Sequence, residues 1–264
     1  MILKSILLGI LEGVTEFLPI SSTGHLILLG DLLNFSGNFA NVFNIVIQMG
    51  AILSVLIYFH KKLFPKSLKK EDLQTFFHLW SKVVVACLPA AIIGIALEDI
   101  IDKYLFHSWV VAVSLILGGI WIYFIDKDVD STGRIDTVYD LSYKNAFFIG
   151  LFQCLALIPG MSRSGMTIIG SLMLGTSRKF AAEFSFFMAI PVLAGAGLLK
   201  LIKNSLSFSS AEWMAIGTGT FVSFVVALLV ISLLMNFIKK HNFRPFAIYR
   251  IVLALIIFAV LLIK

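Results

Sequence analysis

Two stretches of this chain, residues 5–30 and 146–177, are apolar enough to sit in a membrane, yet each is broken by a proline and carries charge. In the first, Glu12, Glu16 and His25 fall within fourteen positions, and Pro19 is followed by Ser21, Ser22, Thr23 and Gly24. In the second, Arg163 stands inside Pro159-Gly160-Met161-Ser162-Arg163-Ser164-Gly165. An ionised side chain at membrane depth costs about 2.5 kcal/mol or more, so it persists mainly where it pairs or works. Each half of either stretch is too short to cross a bilayer, which takes about 20 apolar residues. A short helix, a polar turn and a second short helix form a re-entrant hairpin, tolerated at depth only where protein or a water-filled cavity surrounds the turn.

Six other runs are long enough to cross, or nearly so: 39–59, 79–97, 104–125, 180–199, 213–238 and 246–263. With 59% hydrophobic and 14% charged residues, against about 25% charged in ordinary domains, the chain is not a soluble globule. The net charge of +6 is carried by Lys and Arg in short loops, a membrane-orientation pattern rather than a nucleic-acid face. Cys87 and Cys154 lie in apolar surroundings without metal-ligand spacing and read as small buried hydrophobes. The N-terminus lacks a long apolar core and cleavage site, so it is read as mature protein.

A shift of 141 residues superimposes the two halves. Gly9 falls on Gly150, Glu12 on Gln153, Ser21 on Ser162, Thr23 on Ser164 and Gly24 on Gly165, and the three spans of each half follow in register. Each half is one hairpin plus three crossings. Three is odd, so the second half is expected to be inverted and the hairpins to meet near the midplane. The expected fold is therefore an all-α polytopic membrane protein. It has six transmembrane helices plus two re-entrant helical hairpins, arranged as an inverted-topology repeat. One integral membrane domain covers 1–264, with repeats at 1–125 and 142–264. Fifteen of the twenty-one Lys and Arg, including Lys82, Lys127 and Arg250, fall on one side, and five, among them Lys264, on the other; Arg163 is intramembrane. Acidic residues such as Asp128 and Asp130 dilute one basic loop but count little. The basic side is expected to be cytoplasmic, with both termini outside.

Glu12 and Glu16 share a helical face, where two buried carboxylates require either a proton or a cation between them. Mg²⁺ or Ca²⁺ would suit oxygen ligands shared with a substrate phosphate. The turn Ser21-Ser22-Thr23-Gly24-His25 combines hydroxyls with the free N–H groups of a helix start, an anion site in the making. Ordinary N-capping accounts for one of those hydroxyls and leaves the others unexplained. His25 is equally an acid–base group and a merely hydrogen-bonded histidine. Arg163, flanked by Ser162 and Ser164 and by close-approach glycines at 160 and 165, offers a fork that matches phosphate oxygens; its bland alternative is a fold-fixing salt bridge to Glu12 or Glu16. Gln48 could line the cavity or bond between helices, the second being the favoured reading, and Glu183 reads as interfacial.

The run Glu12-Gly13-Val14-Thr15-Glu16-Phe17-Leu18-Pro19-Ile20-Ser21-Ser22-Thr23-Gly24-His25 closely resembles the first signature of the bacterial undecaprenyl-diphosphatase family, also called bacitracin-resistance proteins. Pro159-Gly160-Met161-Ser162-Arg163-Ser164-Gly165 resembles its second. The resemblance implies a C55 polyprenyl diphosphate substrate cleaved to the monophosphate and inorganic phosphate, which recycles the carrier lipid for peptidoglycan synthesis. It further implies Mg²⁺ or Ca²⁺ near Glu12 and Glu16, and Arg163 on the diphosphate. The nucleophile would come from Ser22 or His25, with a cation-activated water as the other route. Ser21, Ser22, Thr23, Gly160, Ser162, Arg163 and Ser164 form the expected phosphate cradle. The family's site is expected to open outward. Expected partners are the lipid substrate and the bilayer, with a homodimer left open and nucleic acid not expected.

The rival from another class is a secondary transporter or lipid flippase, since inverted repeats around a midplane anion site serve transport equally well. A hydroxyl-and-His turn facing an Arg is what transport does not require.

Overall fold

In hydrocarbon, backbone groups must bond within their own segment, so the long apolar runs have helix as their one open-ended solution. The computed structural model describes residues 1–105, 107–126, 134–204 and 207–263; Lys127, Asp128, Asp130 and Lys264 of the charge count lie outside them. The described residues form α1 (Ile2–Thr15), α2 (Ser22–Leu32), α3 (Asn38–Val46), α4 (Gln48–Tyr58), α5 (His60–Leu63), α6 (Lys70–Tyr104), α7 (Ser108–Ile125), α8 (Tyr143–Leu155), α9 (Arg163–Met173), α10 (Arg178–Asn204), α11 (Ser210–Phe237) and α12 (Arg244–Ile263). Six spans are long and apolar enough to cross a membrane: Asn38–Tyr58, Lys70–Leu97, Ser108–Ile125, Arg178–Asn204, Ser210–Phe237 and Arg244–Leu262. These are the six runs expected from hydropathy. Their outer faces carry exposed Ile92, Phe124, Leu229 and Leu255, a surface suited to lipid rather than water.

Three details differ from the sequence reading. The run 39–59 is two helices meeting at Ile47, because Gly50 N turns back to Ile47 O at 3.0 Å and tightens the ladder there. The run 104–125 begins at Ser108, since α6 carries its hydrogen bonding past the apolar residues until Leu105 N reaches Ile101 O at 2.9 Å. Lys82 and Arg250, counted as loop charges, are buried within α6 and α12, at 2% and 0% exposure.

The helices pack by close backbone approach. α1 and α4 lie on α11, α8 lies on α6, and α7 pairs with α12. A Cβ on Gly50 would stand 2.1 Å from the Thr220 carbonyl oxygen, and one on Gly150 would stand 2.3 Å from that of Ala86. Only glycine lets these pairs meet, which is how helices gain contact without a hydrophobic driving force.

Hydrogen bonds tie the helix ends together. At one end, Lys4 Nζ near the start of α1 donates to the Asn34 carbonyl just beyond α2, at 3.2 Å. At the other, Asp126 after α7 accepts from Arg178 Nε at 2.7 Å and from Phe243 N at 2.5 Å, joining the starts of α10 and α12. Ile135, ahead of α8, forms an isolated bridge with Thr176, just beyond α9. Lys62 pairs with Glu183 at 2.6 Å at this same basic end, so the residue read as interfacial is 8% exposed and engaged.

Candidate functional site

Neither α1 nor α8 can run on through its proline-containing break, because proline lacks an N–H donor and displaces the preceding turn. Each break ends in a serine with left-handed backbone: Ser21 at φ 72°, ψ 91° and Ser162 at φ 72°, ψ 118°. Non-glycine residues hold such angles only under tertiary constraint. Here each serine caps the next helix, its Oγ accepting from Gly24 N at 3.3 Å or Gly165 N at 3.1 Å. The two strained caps stand 141 residues apart, the shift that superimposes the two halves of the sequence. Their geometry turns the starts of α2 and α9 inward, so Ser22 and Arg163 are each a first helical residue.

Those two side chains meet on Glu16. Ser22 Oγ donates to Glu16 Oε2 at 2.6 Å, and Arg163 Nη2 donates to Glu16 Oε1 at 2.9 Å. Arg163 Nη1 donates to the Ser185 carbonyl at 2.7 Å, while its buried Nε has no partner among the described residues. Ser185 also accepts from Thr167 Oγ1 at 2.7 Å, which locks the platform under the guanidinium. The salt bridge that stood as the bland alternative for Arg163 exists, to Glu16, yet it leaves Nε without a partner among the described residues.

Glu12, one helical turn before Glu16, is fully buried with neither carboxylate oxygen hydrogen-bonded among the described residues. Two orphaned acceptors in a dry site are costly unless a proton shared with Glu16 or a cation fills them. Among the described residues no group of three His, Cys, Asp or Glu could hold a metal by itself, so any ion here would need ligands beyond the two glutamates.

A cavity of about 650 Å³ opens at this junction, with Glu16, Ser21, Ser22, Thr23, Gly160, Ser162 and Arg163 at its polar end. Gln48 and Gln153 line it too, so Gln48 faces the cavity rather than gluing helices. The rest of the wall, from Ala90 to Ile95 on α6, Leu157, and Pro191 to Leu199 on α10, is apolar, with Lys200 at its far end. Three expected residues do not line it. Glu12 is buried behind Glu16. Ser164 bonds the Leu18 carbonyl at 3.0 Å and so ties one break to the other. His25 has both ring nitrogens engaged, Nδ1 with the Ser21 carbonyl and Nε2 with Tyr249 Oη, each at 2.7 Å. Nδ1 must therefore carry the proton, and Nε2 accepts from the phenol.

Sequence reasoning missed Ser185, Tyr249 and Arg250. Arg250 matters most. Its guanidinium donates to Leu115, Ser114, Pro19, Gly160 and Met161 carbonyls at 3.0–3.3 Å, joining α7 to both breaks. It has room because position 118 is glycine, where a Cβ would stand 2.1 Å from Nη2. The available signal was an arginine inside an apolar run, the same signal that singled out Arg163; its place near a helix start made it look like a loop charge.

Residues 5–256 match the family described as "Bacitracin resistance protein BacA". "Undecaprenyl-diphosphatase 1" of Clostridioides difficile is 48% identical, covering 98% of this chain and 95% of the relative. The "Undecaprenyl-diphosphatase" of Fusobacterium nucleatum is 48% identical over 97% of this chain and 99% of its own length. That of Clostridium tetani is 45% identical over 100% and 98%.

Proposed function

The chain belongs to the bacitracin resistance protein family, and we propose that it hydrolyses undecaprenyl diphosphate to undecaprenyl phosphate and inorganic phosphate where its two proline breaks meet. This returns the lipid carrier to peptidoglycan synthesis and accounts for the resistance in the family's name. The observation that carries the site assignment is the chain Ser22–Glu16–Arg163, with bonds of 2.6 and 2.9 Å at the polar end of an apolar cavity. Transport has no use for a serine hydroxyl held against a carboxylate; phosphoryl transfer does.

The terminal phosphate enters between the N-termini of α2 and α9, whose free N–H groups and dipoles favour an anion. Arg163, which lines the cavity, donates to its oxygens. Ser22 Oγ attacks the terminal phosphorus as Glu16 Oε2 takes its proton. The bond from that phosphorus to the bridging oxygen breaks, and the undecaprenyl phosphate departs with the electron pair. Water then attacks the phosphoserine and gives one proton to the departing phosphate, as the Ser22 Oγ–P bond breaks and Glu16 returns its proton to the Oγ that leaves with the electron pair. His25 orients the turn through Ser21 and is not the nucleophile, since neither ring nitrogen is free. Glu12 and Glu16 would hold a divalent cation, Mg²⁺ or Ca²⁺. Such an ion, when bound, neutralises charge on the diphosphate. The isoprenoid tail lies along the α6–α10 wall, so only the head group leaves the lipid.

The same reading makes α1–α2 and α8–α9 re-entrant hairpins from opposite faces, within repeats at 1–125 and 142–264. It is supported by the Lys4–Asn34 bond at one end and the Ile135–Thr176 bridge at the other. It is supported too by reciprocal packing, α1 on α11 and α8 on α6, which exchange under the 141-residue shift. With the basic end cytoplasmic, the cavity and both termini face outward.

The test is phosphate release from undecaprenyl diphosphate by purified protein in detergent, with and without EDTA. Release that EDTA abolishes is expected; folded protein that releases none with either divalent ion refutes the reading.

A further inference from the structure

One cleft besides the catalytic cavity gathers charge. At the basic end of the bundle, Lys61, Lys62, Lys179 and Lys239 converge with Glu183 on a cleft of about 390 Å³. Four ammonium groups against one carboxylate leave an excess of three positive charges. Glu183 is already taken by Lys62 at 2.6 Å. Among the described residues Lys239 hydrogen-bonds the neutral Asn236 Oδ1, at 2.9 Å, and neither it nor Lys61 nor Lys179 has a carboxylate partner. Loop lysines that merely set orientation need not converge. These come from three places in the chain, α5, the start of α10 and the end of α11, and they share a wall with Phe59 and Met235.

The position of the cleft has a structural origin. Leu199, Lys200 and Gly94 of the catalytic cavity, shifted by 141 residues, fall on Tyr58, Phe59 and Met235 of this one. The gap between α6 and α10 thus recurs as the gap between α11 and α4, opening at the other end. Its inner end is closed by aromatic rings: Phe59 meets Phe186 at 6.2 Å, and Phe186 meets Phe17, the neighbour of Glu16, at 5.0 Å. A ligand here cannot reach Ser22.

We propose that this cleft binds the phosphate-bearing head group of an anionic membrane lipid from the leaflet on the basic side. The phosphate oxygens lie among Lys61, Lys179 and Lys239, and the first acyl carbons lie against Phe59 and Met235. Basic pockets between membrane helices recognise anionic head groups through this combination of charge and apolar wall. The proposal does not depend on the catalytic reading, because binding is measured without turnover.

The test uses the full chain in zwitterionic micelles doped with phosphatidylglycerol or phosphatidylcholine, with bound lipid counted by native mass spectrometry and protection read as a thermal shift. Inorganic phosphate at matched concentration is a separate arm. The triple variant Lys61→Gln, Lys179→Gln, Lys239→Gln is compared with Lys66→Gln, Lys69→Gln, Lys70→Gln, which removes equal charge outside the cleft. Phosphatidylglycerol alone should protect the native chain, and the cleft triple should bind it on the order of a hundredfold more weakly, at roughly fivefold for each of the three lysines. Detergent-phase turnover should be unchanged. Protection by inorganic phosphate as well would support a phosphate site but take away the lipid assignment. Equal losses in both triples, or equal binding of both lipids, would overturn the proposal.

Discussion

Replacing Arg250 by Met should unlatch the site without touching any residue that meets substrate. The guanidinium spans five carbonyls. Two of them, Ser114 and Leu115, lie inside α7, where the helix ladder still uses them. The other three, on Pro19, Gly160 and Met161, accept no other hydrogen bond among the described residues. A buried carbonyl left without a donor costs about 1–3 kcal/mol, and methionine, unbranched and flexible, fills much of an arginine's space without a donor. Three carbonyls at the low end give about 3 kcal/mol, and at about 2–4 °C per kcal/mol for a chain of this size the melting temperature falls by about 6–12 °C. Turnover should fall further than stability implies. Pro19 and Gly160 belong to the two breaks that align Ser22, Glu16 and Arg163, and a misplacement of about 1 Å costs about a hundredfold. Fluorescence-monitored melting in detergent, paired with phosphate release well below the melting point, separates the two effects. Gly118→Ala, which drives a methyl into the same guanidinium, should reproduce the loss in turnover. An Arg250→Met protein with native melting and native turnover would refute the latch.

The nucleophile assignment predicts that Ser22→Ala loses more than about a thousandfold in kcat, whereas His25→Gln keeps a tenth or more, since His25 only orients the turn. Parallel single-turnover assays distinguish them, and the reverse ranking would move the nucleophile to His25. Glu12→Gln removes a charge but keeps the shape of the buried side chain, so the divalent-ion concentration for half-maximal activity should rise at least tenfold. An unchanged ion titration would release Glu12 from that role. Gly50→Ala places a Cβ against the backbone oxygen of Thr220, which cannot swing aside, and should cost about 1–3 kcal/mol in melting assays.

Much of this architecture is written in local sequence. The six spans are legible because lipid forces continuous apolar helices. The two breaks are legible because proline followed by small hydroxyl residues cannot continue one. Glu16 and Arg163 announced themselves as charges without solvent, and their 2.9 Å bond is the pairing such charges require. Arg250 was misread because a positive residue just inside a helix start resembles an interfacial anchor, and only tertiary packing shows it facing carbonyls from three segments. Ser185 was missed for a related reason. A lone serine among phenylalanines costs little when it bonds back to its own helix, and nothing in Phe184-Ser185-Phe186 says that an arginine 22 positions away will rest on it. Gln48 was assigned to helix contacts because an amide serves either purpose, and the cavity beside it comes from α6 and α10.

Arg163, from the second break, is held to act on a phosphate cradled by the first. Phosphate release from undecaprenyl diphosphate should therefore be measured for folded Arg163→Ala protein beside the native chain, with melting as the control for folding. The expected result is a loss of about a hundred- to a thousandfold or more, as for removal of a transition-state donor. A folded Arg163→Ala protein that turns over within tenfold of native would contradict it.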